Sequence, residues 1–185
     1  MKGALLVDLD GTLIDTHDAN FSAYETALRE IGVTVSRAEF DAIAKGRNWR
    51  QFLPIILGNA AIDPGVVARR KLEIYPQMLH LTVVNDGVSR LVALANTALA
   101  TALVTTASAA STDAVLSYHK LHSLFDVIVT GNDVTHHKPH PEAYQLAAEK
   151  LGVEAKDCVV IEDSDAGVAS ARAFGATVIR VNSLA

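Results

Sequence analysis

Ala4-Leu5-Leu6-Val7-Asp8-Leu9-Asp10-Gly11-Thr12-Leu13 is the stretch that decides how the chain is read. An apolar strand runs straight into two carboxylates one residue apart, then a glycine and a threonine. In an extended chain residues i and i+2 share a face, so Asp8 and Asp10 repel each other unless something positive lies between them. Carboxylate oxygens of this kind suit a hard divalent cation, and Gly11 lets the backbone close in on a bound group. An acidic surface turn is the plainer alternative; the motifs further along the chain weigh against it.

The composition narrows the classes. A chain of 185 residues, half of them hydrophobic, is enough for one medium domain with a small insert and a substantial core. A formal charge of −5 argues against a nucleic acid or an anionic membrane as partner, since either favours a basic face. The single cysteine, Cys158, sits in an apolar run and rules out an intramolecular disulfide, which fits a reducing compartment. No secretory signal pattern and no apolar run of membrane-spanning length is present, so a cytoplasmic protein is expected. Nothing demands more than a monomer.

Short β-branched or Leu-rich runs recur at residues 4–8, 101–105, 127–130, 158–161 and 177–181, as expected for strands buried on both faces of a parallel sheet. Helical stripes separate the later four: Val88, Leu91, Val92, Ala95 and Leu99; Ala114, Val115, Tyr118 and Leu121; Tyr144, Ala147, Ala148 and Leu151; Val168, Ala171 and Phe174. Gly152 and Gly175 stand where helix ends favour glycine. The alternation predicts a doubly wound, Rossmann-like α/β sheet for residues 1–14 and 86–185. Residues 15–85 break the rhythm. Phe21, Tyr24, Leu28 and Ile31 mark one helix and Ser36 with Glu39 a capping box opening a second. Trp49, Phe52, Leu53 and Ile56 suggest a third, and Asp63-Pro64 opens a fourth running toward Leu79. An all-helical stretch of this length is too long for one crossover and predicts an inserted α-helical cap domain at the carboxyl edge of the sheet.

Chemistry-bearing residues fall at the ends of successive strands: Asp8 and Asp10; Thr105 and Thr106, with Ser108 nearby; Lys138 within His137-Lys138-Pro139-His140-Pro141; and Glu162-Asp163-Ser164-Asp165-Ala166-Gly167. Two carboxylate pairs, a hydroxyl and a lysine are what phosphoryl transfer through a covalent aspartyl-phosphate requires. One carboxylate attacks phosphorus, an acid–base group serves the ester oxygen, and cations offset the phosphoryl charge.

In that order the motifs resemble the haloacid dehalogenase-like (HAD) superfamily, in the branch whose helical cap lies between the first and second motifs. The resemblance spans nearly the whole chain, and Asp8-Leu9-Asp10-Gly11-Thr12-Leu13 matches the first motif without a mismatch. It implies a nucleophilic Asp8 that also binds Mg²⁺, and an Asp10 that protonates the leaving alkoxide and then takes a proton from water while its carbonyl faces the metal. It further implies Thr105 on a phosphoryl oxygen, Lys138 between Asp8 and the phosphate, Asp163 on Mg²⁺, and Glu162 on the metal directly or through water. Dehalogenases typically lack the second aspartate and phosphonatases replace it with a small residue, so Asp10 favours a phosphate ester. The expectation is a phosphatase hydrolysing a small phosphorylated metabolite.

Two alternatives stand beside it. A sugar-phosphate mutase of the β-phosphoglucomutase type is suggested by Lys45-Gly46 with Arg47 and Arg50, basic residues able to hold a substrate's distal anion; Thr106 is a further substrate-binding candidate, or simply a cap of the next helix with Ser108. Where mutases carry a histidine about ten residues past the second aspartate, however, this chain has Asn20, with His17 out of register. A non-catalytic member binding a phosphorylated metabolite is the other, and the presence of Asp8, Asp10, Lys138 and Asp163 together argues against it. Of the remaining features, Asp165 is expected to cap the following helix, and Asp15 with Thr16 to form the hinge into the cap. His136, His137 and His140 look like a metal-binding tract, but flexible spacing around two prolines suits zinc poorly, and they are read as exposed loop histidines. Asn85-Asp86-Gly87 departs from the branch, which commonly has a proline before the glycine.

Overall fold

The computed structural model describes residues 3–44 and 47–182. The chain forms two compact units, Met1–Asp15 with Val83–Ala185, and Thr16–Thr82.

In the first unit the apolar runs become β1 (Ala4–Val7), β4 (Ala100–Val104), β5 (Val127–Val129), β6 (Cys158–Glu162) and β7 (Thr177–Arg180), in the order β5-β4-β1-β6-β7. All four pairings are parallel. Leu6 lies opposite Ala102 on one side and Val160 on the other, and β1 is buried throughout, as a central strand covered on both faces must be. Helices α5 (Asp86–Ala95), α6 (Ala109–His119), α7 (Glu142–Leu151) and α8 (Asp165–Phe174) link the strands. After β1 the chain winds to one side through β4 and β5, then crosses to β6 and β7. The carboxyl ends of β1, β4 and β6 therefore flank the point where the winding reverses, where open α/β sheets form a crevice. Tyr144, wholly buried, packs with Leu6, Val104, Val160, Ala147 and Ala171 beneath it. Gly152 and Gly175 close α7 and α8 at φ +68° and +96°, values that an L side chain rarely adopts.

Three local readings change. The buried face of α6 is Ser111, Thr112, Val115 and Leu116, while Tyr118 is 52% exposed: the helix carries enough apolar residues that the sequence stripe points the wrong way. Ser164 rather than Asp165 caps α8, accepting from the Gly167 N–H, and Asp165 instead pairs with Arg180 at 2.7 Å. A two-stranded antiparallel ribbon, β2 (Ile14–Asp15) with β3 (Val83–Val84), joins the points where the chain leaves and re-enters this unit.

The second unit contains α1 (His17–Glu30), α2 (Arg37–Ala44), α3 (Trp49–Leu57) and α4 (Pro64–Ile74). The Ser36–Glu39 capping box forms at α2, and a second box, Asn48 with Gln51, opens α3. Asp63 caps α4 as expected, but α4 gives way at Tyr75–Leu81 to a 3₁₀ turn, because Pro76 has no N–H to continue the ladder. Tyr24, Phe40 and Phe52 interlock edge to face and tilted, with centroids 5.0–5.6 Å apart, and form the aromatic heart of this unit. Arg70 grips Glu30 of α1 with two hydrogen bonds (2.6 and 2.8 Å), tying it to α4.

Candidate active site

Asp8 is still in the sheet: its N–H donates to the Ile161 carbonyl at 3.1 Å. The chain then turns sharply. Gly11 takes φ +85° and donates to Ile14 O (2.8 Å), while Leu13 and Ile14 both donate to Leu9 O (3.0 Å). The turn is braced from outside, since Asn85 donates from Nδ2 to Thr12 O (3.1 Å) and from its backbone N–H to Leu13 O (2.8 Å). Asn85 Oδ1 also caps α5 by accepting from the Val88 N–H, so the residue before the departure at Asp86 straps the turn to the start of α5.

Four segments converge here. Lys138 Nζ donates to Asp8 Oδ1 (2.7 Å), Glu162 Oε1 (2.6 Å) and Val104 O (2.9 Å), and its side chain is 4% exposed. Thr105 Oγ1 donates to Asp10 Oδ2 (3.2 Å) and accepts from the Ala107 N–H, while Thr12 Oγ1 donates to Asp163 Oδ1 (3.0 Å). Glu162 is wholly buried and fully engaged: Oε1 accepts from Lys138 and the Tyr144 hydroxyl (3.2 Å), Oε2 from the Ser164 N–H and Oγ (both 3.0 Å). Gly167 makes room for it, since a Cβ there would sit 1.7 Å from Glu162 Oε1.

The electrostatics follow from burial. Desolvation pushes the Asp8 carboxyl well above the usual range, Lys138 opposes it, and Glu162 and Asp10 add to it. Burial weighs against the Lys138 ammonium, yet the facing Asp8 and Glu162 hold its pKa well above the ordinary lysine value. Glu162 is lowered: burial opposes ionisation, but Lys138 and the Ser164 donors outweigh it. Burial also drives the Tyr144 phenol up, which keeps it a donor. One donor oxygen each from Asp8, Glu162 and Asp163 lies within 4.8 Å of the others. That surplus of carboxylates over one lysine fits a divalent cation on oxygen ligands.

Thus Asp8, Asp10, Thr105, Lys138, Glu162 and Asp163 are brought together. Thr106 is exposed, and its carbonyl packs so closely on residue 131 that only glycine fits there. Arg47 and Arg50 lie in the helical unit, both exposed; Arg47 bonds the Ile43 carbonyl and Arg50 stacks 4.4 Å from the Trp49 ring centre. Lys45 lies outside the described residues. Thr12, Tyr144, Ser164 and Asn85 carry no assigned role in the sequence reading. Tyr144 read simply as part of an apolar stripe, and only its register opposite Glu162 separates it from an ordinary core aromatic.

Fold and crevice define an enzyme that gathers carboxylates around one buried lysine at the carboxyl ends of parallel strands. The chain belongs to the haloacid dehalogenase-like hydrolase family, whose profile matches residues 5–181. It is 33% identical over 181 residues to the fructose-1-phosphate phosphatase YqaB of Escherichia coli K12, covering 97% of this chain and 96% of that protein. It is also 33% identical over 184 residues to hexitol phosphatase A of the same organism, covering 96% and 82%. A crystal structure of CbbY from Rhodobacter sphaeroides in complex with phosphate superposes with a TM-score of 0.89 at 26% identity, over all of this chain and 88% of that one. The chain is thus a HAD-like hydrolase, and its named phosphatase relatives are consistent with a phosphoric monoester hydrolase.

Proposed function

We propose that this enzyme is a Mg²⁺-dependent phosphatase of small phosphorylated sugars or related metabolites, working through a phosphorylated Asp8. The observation that supports it most is the pairing of Lys138 with both Asp8 and Glu162 in a buried crevice that still holds Asp10 and Asp163. The phosphorylated-sugar class follows the names of the relatives, fructose-1-phosphate and hexitol phosphatases.

In this reading a free oxygen of Asp8 attacks phosphorus and the ester oxygen departs. Asp10 supplies its proton, held toward the reacting centre by the Thr105 hydroxyl. Asp10 then takes a proton from the water that hydrolyses the acyl phosphate. Lys138 neutralises charge between Asp8 and the phosphoryl group, and Glu162 fixes Lys138. Asp8, Asp163 and the Asp10 carbonyl would hold Mg²⁺, with Glu162 adding charge nearby. The bound ion stabilises phosphoryl charge and keeps Asp8 ionised. Residues 16–82 serve as the cap, with Arg47 and Arg50 as the basic residues to test for substrate contact.

The helical unit supports hydrolysis over mutase chemistry. Asn20 stands where mutases place a histidine and donates to Thr16 Oγ1 (3.0 Å), while His17 lies 3.1 Å from Asp41. Borohydride reduction during turnover, followed by peptide mass spectrometry, tests the intermediate: reduction should mark Asp8 alone. A mark on another residue, or none during rapid turnover, contradicts the mechanism.

A further inference from the structure

The loop carrying Lys138 holds a second cluster that the proposed chemistry does not use. We propose that His136, His140 and Glu142 form a binding site for a borderline divalent cation, with Zn²⁺ as its probe, distinct from the acidic crevice. One ligand atom from each of the three lies within 4.8 Å of the other two. Glu142 Oε2 is 2.7 Å from His136 Nδ1 and 3.9 Å from His140 Nδ1, and the two rings lie 4.6 Å apart between centroids, tilted by 35°.

The hydrogen bonds fix where the protons are. The Glu142 N–H donates to His140 Nδ1 at 3.3 Å, so that nitrogen carries no hydrogen and its one lone pair accepts this long bond. His136 Nδ1 faces a carboxylate oxygen, so it carries a hydrogen. An entering cation takes the place of that hydrogen at His136, whose imidazole keeps its proton by moving it to Nε2, and displaces the long Glu142 N–H bond at His140 Nδ1; nothing is oxidised or reduced. Glu142 is already immobilised, accepting from the backbone N–H groups of Thr135 (2.8 Å) and His136 (2.9 Å). Pro139 and Pro141 restrict the backbone on either side of His140. Little ordering is left for the ion to impose.

Ligand chemistry selects the ion. Two imidazoles and one carboxylate are the donors of Zn²⁺, Ni²⁺ and Cu²⁺ sites, whereas Mg²⁺ prefers oxygen alone. His136 and His140 are 63% and 50% exposed, so an ion can enter and water can complete its coordination. The sequence spacing hid this, because Glu142 reaching back to residues 135 and 136 folds the two histidines onto each other.

The test is Zn²⁺ titration of the full, tag-free chain in saturating Mg²⁺, read by competition with a chromophoric chelator. Wild type should bind one Zn²⁺ that His136→Ala and His140→Ala each weaken by about 10- to 100-fold. His122→Ala (His122 pairs with Asp113 elsewhere in this unit) and Asp163→Asn should leave it in place. Equal Zn²⁺ binding by wild type and both site variants overturns the proposal, as does loss in Asp163→Asn with retention in His140→Ala. Circular dichroism confirms that each variant is folded, and His140→Gln provides a second variant of similar size. Binding is read without turnover, so the result stands apart from the role of Asp8.

Discussion

At the scale of single residues, Lys138 is held by groups that are themselves held. Its ammonium meets Asp8 and Glu162, and Glu162 depends on Tyr144, Ser164 and the missing side chain at Gly167. Gly167→Ala should therefore cost more than its size suggests, because a methyl at 1.7 Å must push Glu162 aside and leave a buried ammonium short of a partner. We expect at least tenfold lower kcat and about 2 kcal/mol or more of lost stability, read by turnover and denaturant unfolding. Tyr144→Phe removes one of four donors to a buried carboxylate and should cost about 1–2 kcal/mol with a milder loss of turnover. Asp8 predicts the opposite sign. Its folded pKa lies above the unfolded value of about 3.9, so its stabilising contribution exists at acidic pH and is lost as pH rises through the folded value. At neutral pH Mg²⁺ should therefore raise the Tm of wild type by more than that of Asp8→Asn, read by thermal unfolding with Mg²⁺ and with chelator. Equal Mg²⁺ stabilisation of the two would count against Asp8 as part of the cation site.

At the scale of elements, the strands were legible because burial on both faces leaves unbroken apolar runs, and β1 is such a run. Helix faces were less so. On α6 the small residues Ser111 and Thr112 are buried and Tyr118 is not, and no periodicity argument assigns a buried hydroxyl to the core. Caps were readable at Ser36 and Asp63, misplaced at Asp165, where Ser164 serves instead, and missed at Asn48, where asparagine with Gln51 three residues on forms a complete box. Asn48→Ala should lower stability by about 1 kcal/mol, measured as a shift in unfolding midpoint. Asp86 opens α5 behind the extended residue Asn85 (ψ 95°), a position that accepts proline. Asp86→Pro should stabilise by about 0.4–1 kcal/mol without changing turnover. A loss of stability would mean that the Asn85 strap needs the aspartate beside it.

At the scale of the whole molecule, the site exists only because the topology folds distant segments together: Asp8 meets Lys138 across 130 residues and Thr12 meets Asp163 across 151. The sequence disclosed those residues through motifs at strand ends, since parallel strands bring their carboxyl ends to one edge. It could not disclose Tyr144, Asn85 or the pairing of His136 with His140, whose roles depend on which neighbour tertiary packing presents. Among the described residues no helix is long and apolar enough to cross a membrane. The most direct measurement is phosphate release from a panel of small sugar phosphates, with Mg²⁺ and with chelator, for wild type and Asp8→Asn together. We predict release that needs both Mg²⁺ and Asp8, returns when metal is restored after chelation, and ranks the esters by sugar. Undiminished release by Asp8→Asn, or by wild type in chelator, would contradict the account.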